Sequence, residues 1–228
     1  MTEDILATSP RRSFLGRLAA GTAALGLTAF LPVTACAAEK TGATASDSAS
    51  SDGNEWPGTL KTKHKMAVDA FAMNEGFPLA FAYTFMLPYA SVSPSPATAV
   101  VILRHAGFPM ALTDAVWSKY KLGKAMNVTD PTTKAPAERN PFFNAKPGSL
   151  VVDDMAIDKL LARGTIIGAC NVALHVLSAK FAPAAGVTPD VALKEWTAGI
   201  IPGITVIPSG TWGVNRAQEA GCSYCAGG

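Results

Sequence analysis

Charge is scarce in this 228-residue chain: only 16% of residues are Asp, Glu, Lys or Arg, and the two signs nearly cancel to a formal +2. No basic stripe or Lys/Arg cluster of the kind that tracks a phosphate backbone is present, so a nucleic-acid partner is not expected. Histidine (3) and cysteine (4) are also few, which confines metal and thiol chemistry to a handful of positions. There is no Walker loop, no G-x-G-x-x-G, no G-x-S-x-G and no H-E-x-x-H. Nucleotide hydrolysis, Rossmann dinucleotide chemistry and standard serine hydrolysis therefore lack their usual sequence supports. With 49% hydrophobic residues the chain can still bury one sizeable core, which excludes collagen, coiled coil and wholesale disorder.

What is present begins with an export signal. Ser9-Pro10-Arg11-Arg12-Ser13-Phe14-Leu15 sets paired arginines just before the apolar stretch Leu18 to Val33. That stretch falls short of the ~20 residues that span a bilayer, so residues 1–35 are expected to be a twin-arginine signal peptide rather than a membrane anchor. This route carries proteins that fold before crossing, and the expected location is the periplasm. Val33-Thr34-Ala35-Cys36 resembles a lipobox, with Cys36 as the candidate lipidation site, while Ala35-Cys36-Ala37 also fits ordinary signal cleavage. Ala37 to Gly58 is rich in Ala, Ser, Thr, Asp and Gly, which suits a flexible tether over residues 36–58. The only membrane partner expected is thus the bilayer that would hold such a lipid.

Residues 59–228 read as one folded domain. Thr59 to Met73 is expected to be a short helix or an extended lead-in, and Phe77 to Leu87 a buried strand. Ala97 to Leu103 is apolar on both faces, as covered parallel strands are, and Thr165 to Ala169 and Ile204 to Ile207 are expected to be two further short strands. Helices are expected over Leu112 to Lys124, Ile157 to Ala162, Asn171 to Phe181 (with Val172, Leu174, Val176 and Leu177 inward), Pro189 to Gly199 and Thr211 to Ala220. Residues 127–150 form a long Pro- and Asn-rich loop. The alternation predicts a single-domain α/β fold, a mostly parallel sheet with helices on both faces.

In such folds the functional crevice lies outside the carboxyl ends of the strands. His105, Cys170 and Ser209 each follow a different predicted strand, and Cys170 also opens a helix, where the dipole favours a nucleophilic sulfur. Cys170 and His105 are accordingly the candidate catalytic residues. Cys222-x-x-Cys225 is half of a zinc ribbon, or a small disulfide of the kind an oxidising compartment permits. With Cys36 lipidated and that pair joined, Cys170 would stay free. His175 is expected to face solvent.

Val100-Val101-Ile102-Leu103-Arg104-His105, Leu160 to Leu174 (LLARGTIIGACNVAL) and Ile204 to Gly210 (ITVIPSG) resemble the DsrE/DsrF-like superfamily of small sulfur-handling α/β proteins. The middle segment is similar to its unit of helix, Gly, apolar strand, Cys and helix, whose cysteine carries persulfide; by that match the role falls on Cys170. WSKYKLG, RNPFF, PSGTWGVNRAQ and the terminal C-x-x-C look like the exported, twin-arginine-bearing relatives of that superfamily. Loop 127–150 and the C-x-x-C pair depart from the cytoplasmic pattern. The resemblance implies a homo-oligomer and a periplasmic sulfur or redox partner. Three functions follow as expectations: binding or transfer of sulfane sulfur by Cys170 with His105; a non-catalytic metal or cofactor site made by Cys222 and Cys225 with Cys170 and His105; or a structural oligomerising module.

Overall fold

The structure, a computed structural model, describes residues 55–92 and 95–228. The signal over 1–35, the lipidation site Cys36 and most of the tether lie outside the described residues. Five strands form one sheet: β1 (His64–Ala70), β2 (Ala97–Leu103), β3 (Ile166–Cys170), β4 (Thr205–Ile207) and β5 (Ser223–Ala226). Their order is β4-β3-β2-β1-β5 and every pairing is parallel. Between them run α1 (Phe77–Ser91), α2 (Asp114–Lys119), α3 (Leu122–Ala125), α4 (Ile157–Ala162), α5 (Asn171–Phe181), α6 (Pro189–Ala198) and α7 (Gly210–Glu219).

Strand alternation divides the core into two faces. Val68, Ala70, Val101, Leu103, Ile167 and Ala169 point to one face and pack on residues of α1 to α6. Ala67, Val100, Ile102 and Ile207 point to the other, which α7 covers with Ala217, together with Trp56 and Leu60. Connectivity accounts for this asymmetry. The chain steps from β1 to β4 in one direction across the sheet, then returns from β4 over three strands to β5. Since parallel crossovers are right-handed, the connections that step forward lie on one face and the single return, α7, must lie on the other. On the first face Trp196 is enclosed by Phe108 and Phe181, both nearly parallel to it at 6.2 and 6.1 Å, and by Tyr120 edge-on at 5.5 Å.

The parallel α/β expectation holds, with corrections in its parts. Phe77 to Leu87 is helix, not strand. Its apolar run continues to a length few strands reach, Pro78 occupies the first turn where its missing N–H costs nothing, and Gly76 precedes it in the left-handed region at φ 87°. The segment before it supplies strand β1, whose lysine-bearing start hides the buried Ala67 to Ala70. The C-terminal tail is strand β5, with Val68 opposite Cys225. On α5, Val172 and Val176 are exposed and Ala173, Leu174, Ser178 and Phe181 face inward. Among the described residues Trp56 is already buried, in a 3-10 turn within the segment expected to be a flexible tether.

One buried side chain ties the loop after α3 to the turn ahead of α2. Asn140 donates from Nδ2 to the carbonyls of Met110 (2.9 Å) and Leu112 (2.7 Å) and accepts from Phe142 N–H (2.9 Å). At Gly123 the backbone of this loop approaches so closely that a Cβ would stand 2.1 Å from the Ala137 carbonyl oxygen.

Candidate functional site at the carboxyl ends of the strands

Leu103 pairs with Ala169 across β2 and β3, and Cys170 pairs with Ile207 across β3 and β4. Arg104, Cys170 and Pro208-Ser209 therefore follow one another along the same sheet edge, and His105 stands one residue beyond Arg104. Cys170 and His105 thus lie at the carboxyl ends of neighbouring parallel strands. From β3 the chain turns onto the α5 face, and from β4 it turns onto the α7 face. The point where adjacent connections diverge is the place at which open α/β sheets form their crevice, and here it falls between Cys170 and Ser209.

Both helices that open at this point are capped by the residue at the junction. Cys170 Sγ accepts from Ala173 N–H at 3.3 Å, and Ser209 Oγ accepts from Trp212 N–H at 3.2 Å. A thiol meeting free N–H groups at a helix N-terminus has the environment in which sulfur acts as nucleophile or ligand. Cys170 is 6% exposed.

Beside it lies a network that motif reading did not identify. Asp69, 6% exposed at the end of β1, accepts two hydrogen bonds from Arg104, from Nε at 2.6 Å and Nη2 at 2.8 Å, and a third from Tyr224 Oη at 3.1 Å. Hydrogen bonding to Asp69 raises the pKa of the Arg104 guanidinium, and the charges of Asp69, Tyr224 and Cys170 add to that effect. Burial, followed by donation to Asp69, pushes the Tyr224 phenol up. The signal for this network was an Asp inside an apolar strand, since an unpaired carboxylate is almost never buried. The Arg104 guanidinium also lies 4.7 Å from the Phe71 ring, on which His105 stacks at 4.3 Å and 6°. His105 holds φ 47°, an unusual conformation for a residue with a Cβ. Its ring is thereby laid flat against Phe71.

The C-x-x-C pair does not join this site. Three residues apart about an extended chain, Cys222 packs with Ala67 and Ala217 on the α7 face, while Cys225 packs against the opposite core. The structure does not bring the expected metal set of Cys222 and Cys225 with Cys170 and His105 together: Cys222 and Cys225 face opposite cores, and side chains so placed do not chelate one ion or close a disulfide without rebuilding β5. Among the described residues no group of three or more His, Cys, Asp or Glu is placed to hold a metal. Burial raises the pKa of both thiols, so the folded state retains protons that the unfolded chain releases. Their contribution to stability is full below the ordinary thiol value of ~8.5 and declines as pH rises past it. Urea melts at about pH 7.5 and about pH 10 should show a larger loss of stability at the higher pH for the parent than for Cys222→Ser/Cys225→Ser.

A cleft of about 580 Å³ opens beside the network, between the loops after β1 and β2 and the long loop, with Met73, Glu75, Ala106, Lys134 and Phe142 on its walls. Cys170 is not on those walls. His175 is exposed on α5, as expected. No described helix is long and apolar enough to cross a membrane. Set against known proteins, the chain matches no family model, no curated protein and no solved structure.

Proposed function

We propose that the domain carries sulfane sulfur after export, with Cys170 as the thiol that takes it up and gives it away. The observation that supports this most is the position of Cys170: at the end of β3, at the divergence of α5 and α7, with a helix N–H on its sulfur and Arg104 alongside. A structural cysteine has no need of any of these. The resemblance to DsrE/DsrF-like proteins assigns persulfide chemistry to the same position.

The step balances without an external oxidant when the donor is itself a persulfide. The Cys170 sulfur attacks the outer sulfur of RS–SH and a new S–S bond forms. The donor S–S bond breaks, RS⁻ leaves with the electron pair, and the proton lost by Cys170 ends on the departing thiol. Reversal toward an acceptor thiol returns Cys170 to its starting state. His105, held on Phe71, borders the approach to this edge, where it would help orient a donor. A periplasmic thiol protein and a second copy of this chain are the partners this reading implies, and a lipid at Cys36 would keep the carrier at the membrane.

The test is to expose the exported protein to inorganic polysulfide, remove the excess and map added sulfur by peptide mass spectrometry. One extra sulfur atom on the Cys170 peptide, absent from Cys170→Ser, is expected. Sulfur found only on Cys225, or on no cysteine, would leave the domain as a structural module.

A further inference from the structure

Building on the sulfane-sulfur reading, we propose that Arg104 is the group that holds the anionic outer sulfur of a Cys170 persulfide, with Asp69 and Tyr224 as the residues that position it. Register supplies the first ground. Arg104 continues β2 in extended conformation, φ −138° and ψ 166°, one step past the Leu103–Ala169 pair, so its backbone neighbours that of Cys170 across the strand spacing of about 4.8 Å.

The second ground is how the side chain is held. Nε and Nη2 are committed to the two oxygens of Asp69, which fixes the plane of the guanidinium. Tyr224, reaching over from β5, fixes the carboxylate in turn. Two hydrogens on Nη1 and one on Nη2 remain, and the side chain is 23% exposed, so one edge of the fork can meet a ligand. A guanidinium used only for an internal ion pair has no need to keep that edge accessible.

The third ground is Gly210. A Cβ there would stand 2.5 Å from both Cβ and Cδ of Arg104. The arginine stem therefore lies directly over the first turn of α7, at the same divergence point that Cys170 occupies. Three strands and one helix thus contribute to the placement of a single cation on the strand next to the one that carries the thiol. A persulfide differs from a thiol in extending the negative charge one sulfur further from the backbone. The Ala173 N–H of α5 serves the inner sulfur, and a fixed cation is what the outer one lacks.

The exported chain carrying Cys222→Ser and Cys225→Ser is the parent for the test. It is loaded with inorganic polysulfide, and the persulfide on Cys170 is followed by intact mass and by cyanolysis. Arg104→Gln, Arg104→Lys and Asp69→Asn/Arg104→Gln are compared with it. The double variant removes both charges, so no buried carboxylate is orphaned, and thermal melts establish that it folds. Both glutamine variants are expected to retain the added sulfur for a time roughly tenfold shorter than the parent, the effect of losing one charge-assisted hydrogen bond. Lysine, which cannot form the fork with Asp69 but keeps the charge, should restore part of the lifetime, an outcome that a purely structural role would not give. A parent that loads while all three variants hold sulfur as long overturns the role of Arg104 and leaves the carrier reading intact. A folded parent that takes up no sulfur overturns both.

Discussion

Asp69→Ala is expected to lower the unfolding free energy by about 3 kcal/mol, the low end of the cost of breaking a buried ion pair from one side. The carboxylate is nearly enclosed at the end of β1, whereas Arg104 retains some access to water, and that access is why the low end applies. Alanine would leave the guanidinium without its two acceptors and the Tyr224 hydroxyl without its one. The loss joins three strands, because Asp69, Arg104 and Tyr224 belong to β1, the end of β2 and β5. Thermal denaturation should show a drop of roughly 10 °C for a domain of this size. Asp69→Asn, which retains an oxygen acceptor, should lose less. Equal losses in the two variants would show that charge, not hydrogen bonding, dominates the pair.

Asn140→Ala should destabilise by about 3 to 5 kcal/mol through a different mechanism. Its side chain is the partner of two buried carbonyls, Met110 and Leu112, and of the Phe142 N–H. Alanine strands all three at once, and each buried unpaired group costs about 1 to 3 kcal/mol, reduced where water enters. The damage should concentrate in residues 127–150, which Asn140 ties to the turn ahead of α2. Limited proteolysis is the sensitive readout: cleavage in that loop should accelerate well before the sheet unfolds. A variant as stable and as protease-resistant as the parent would mean the loop is held by something other than Asn140.

The parts of the fold that were legible in sequence are those whose apolar runs are short and bounded. ATAVVIL, TIIGA and ITVI each end in a polar or turn residue within strand length, and each is a parallel strand. FPLAFAYTFMLPYAS defeated the same reasoning because it is apolar on all sides and carries no period; only its length and its Gly-Phe-Pro start separate helix from strand. The tail defeated it for the opposite reason. SYCA is too short and too exposed to read as a strand, and becomes one only because β1 offers it a free edge.

The candidate site divides in the same way. Cys170, His105 and Ser209 could be placed on one edge because parallel strands share a carboxyl end. Arg104, Asp69 and Tyr224 could not be joined, since their contacts span 35 and 155 residues of sequence and carry no local signature. The spacing of the C-x-x-C motif does not by itself reveal that the two residues face opposite cores.

A sulfur carrier of this kind requires that Cys170 be a working thiol in the folded protein. The direct measurement is the rate at which each cysteine of the native chain reacts with a small alkylating reagent near neutral pH, read peptide by peptide. Cys170 should react first and without unfolding, because a helix N–H meets its sulfur and it stands where the connections of the sheet diverge. A Cys170 that stays unlabelled until denaturant is added, or that reacts more slowly than Cys225, would contradict the central claim.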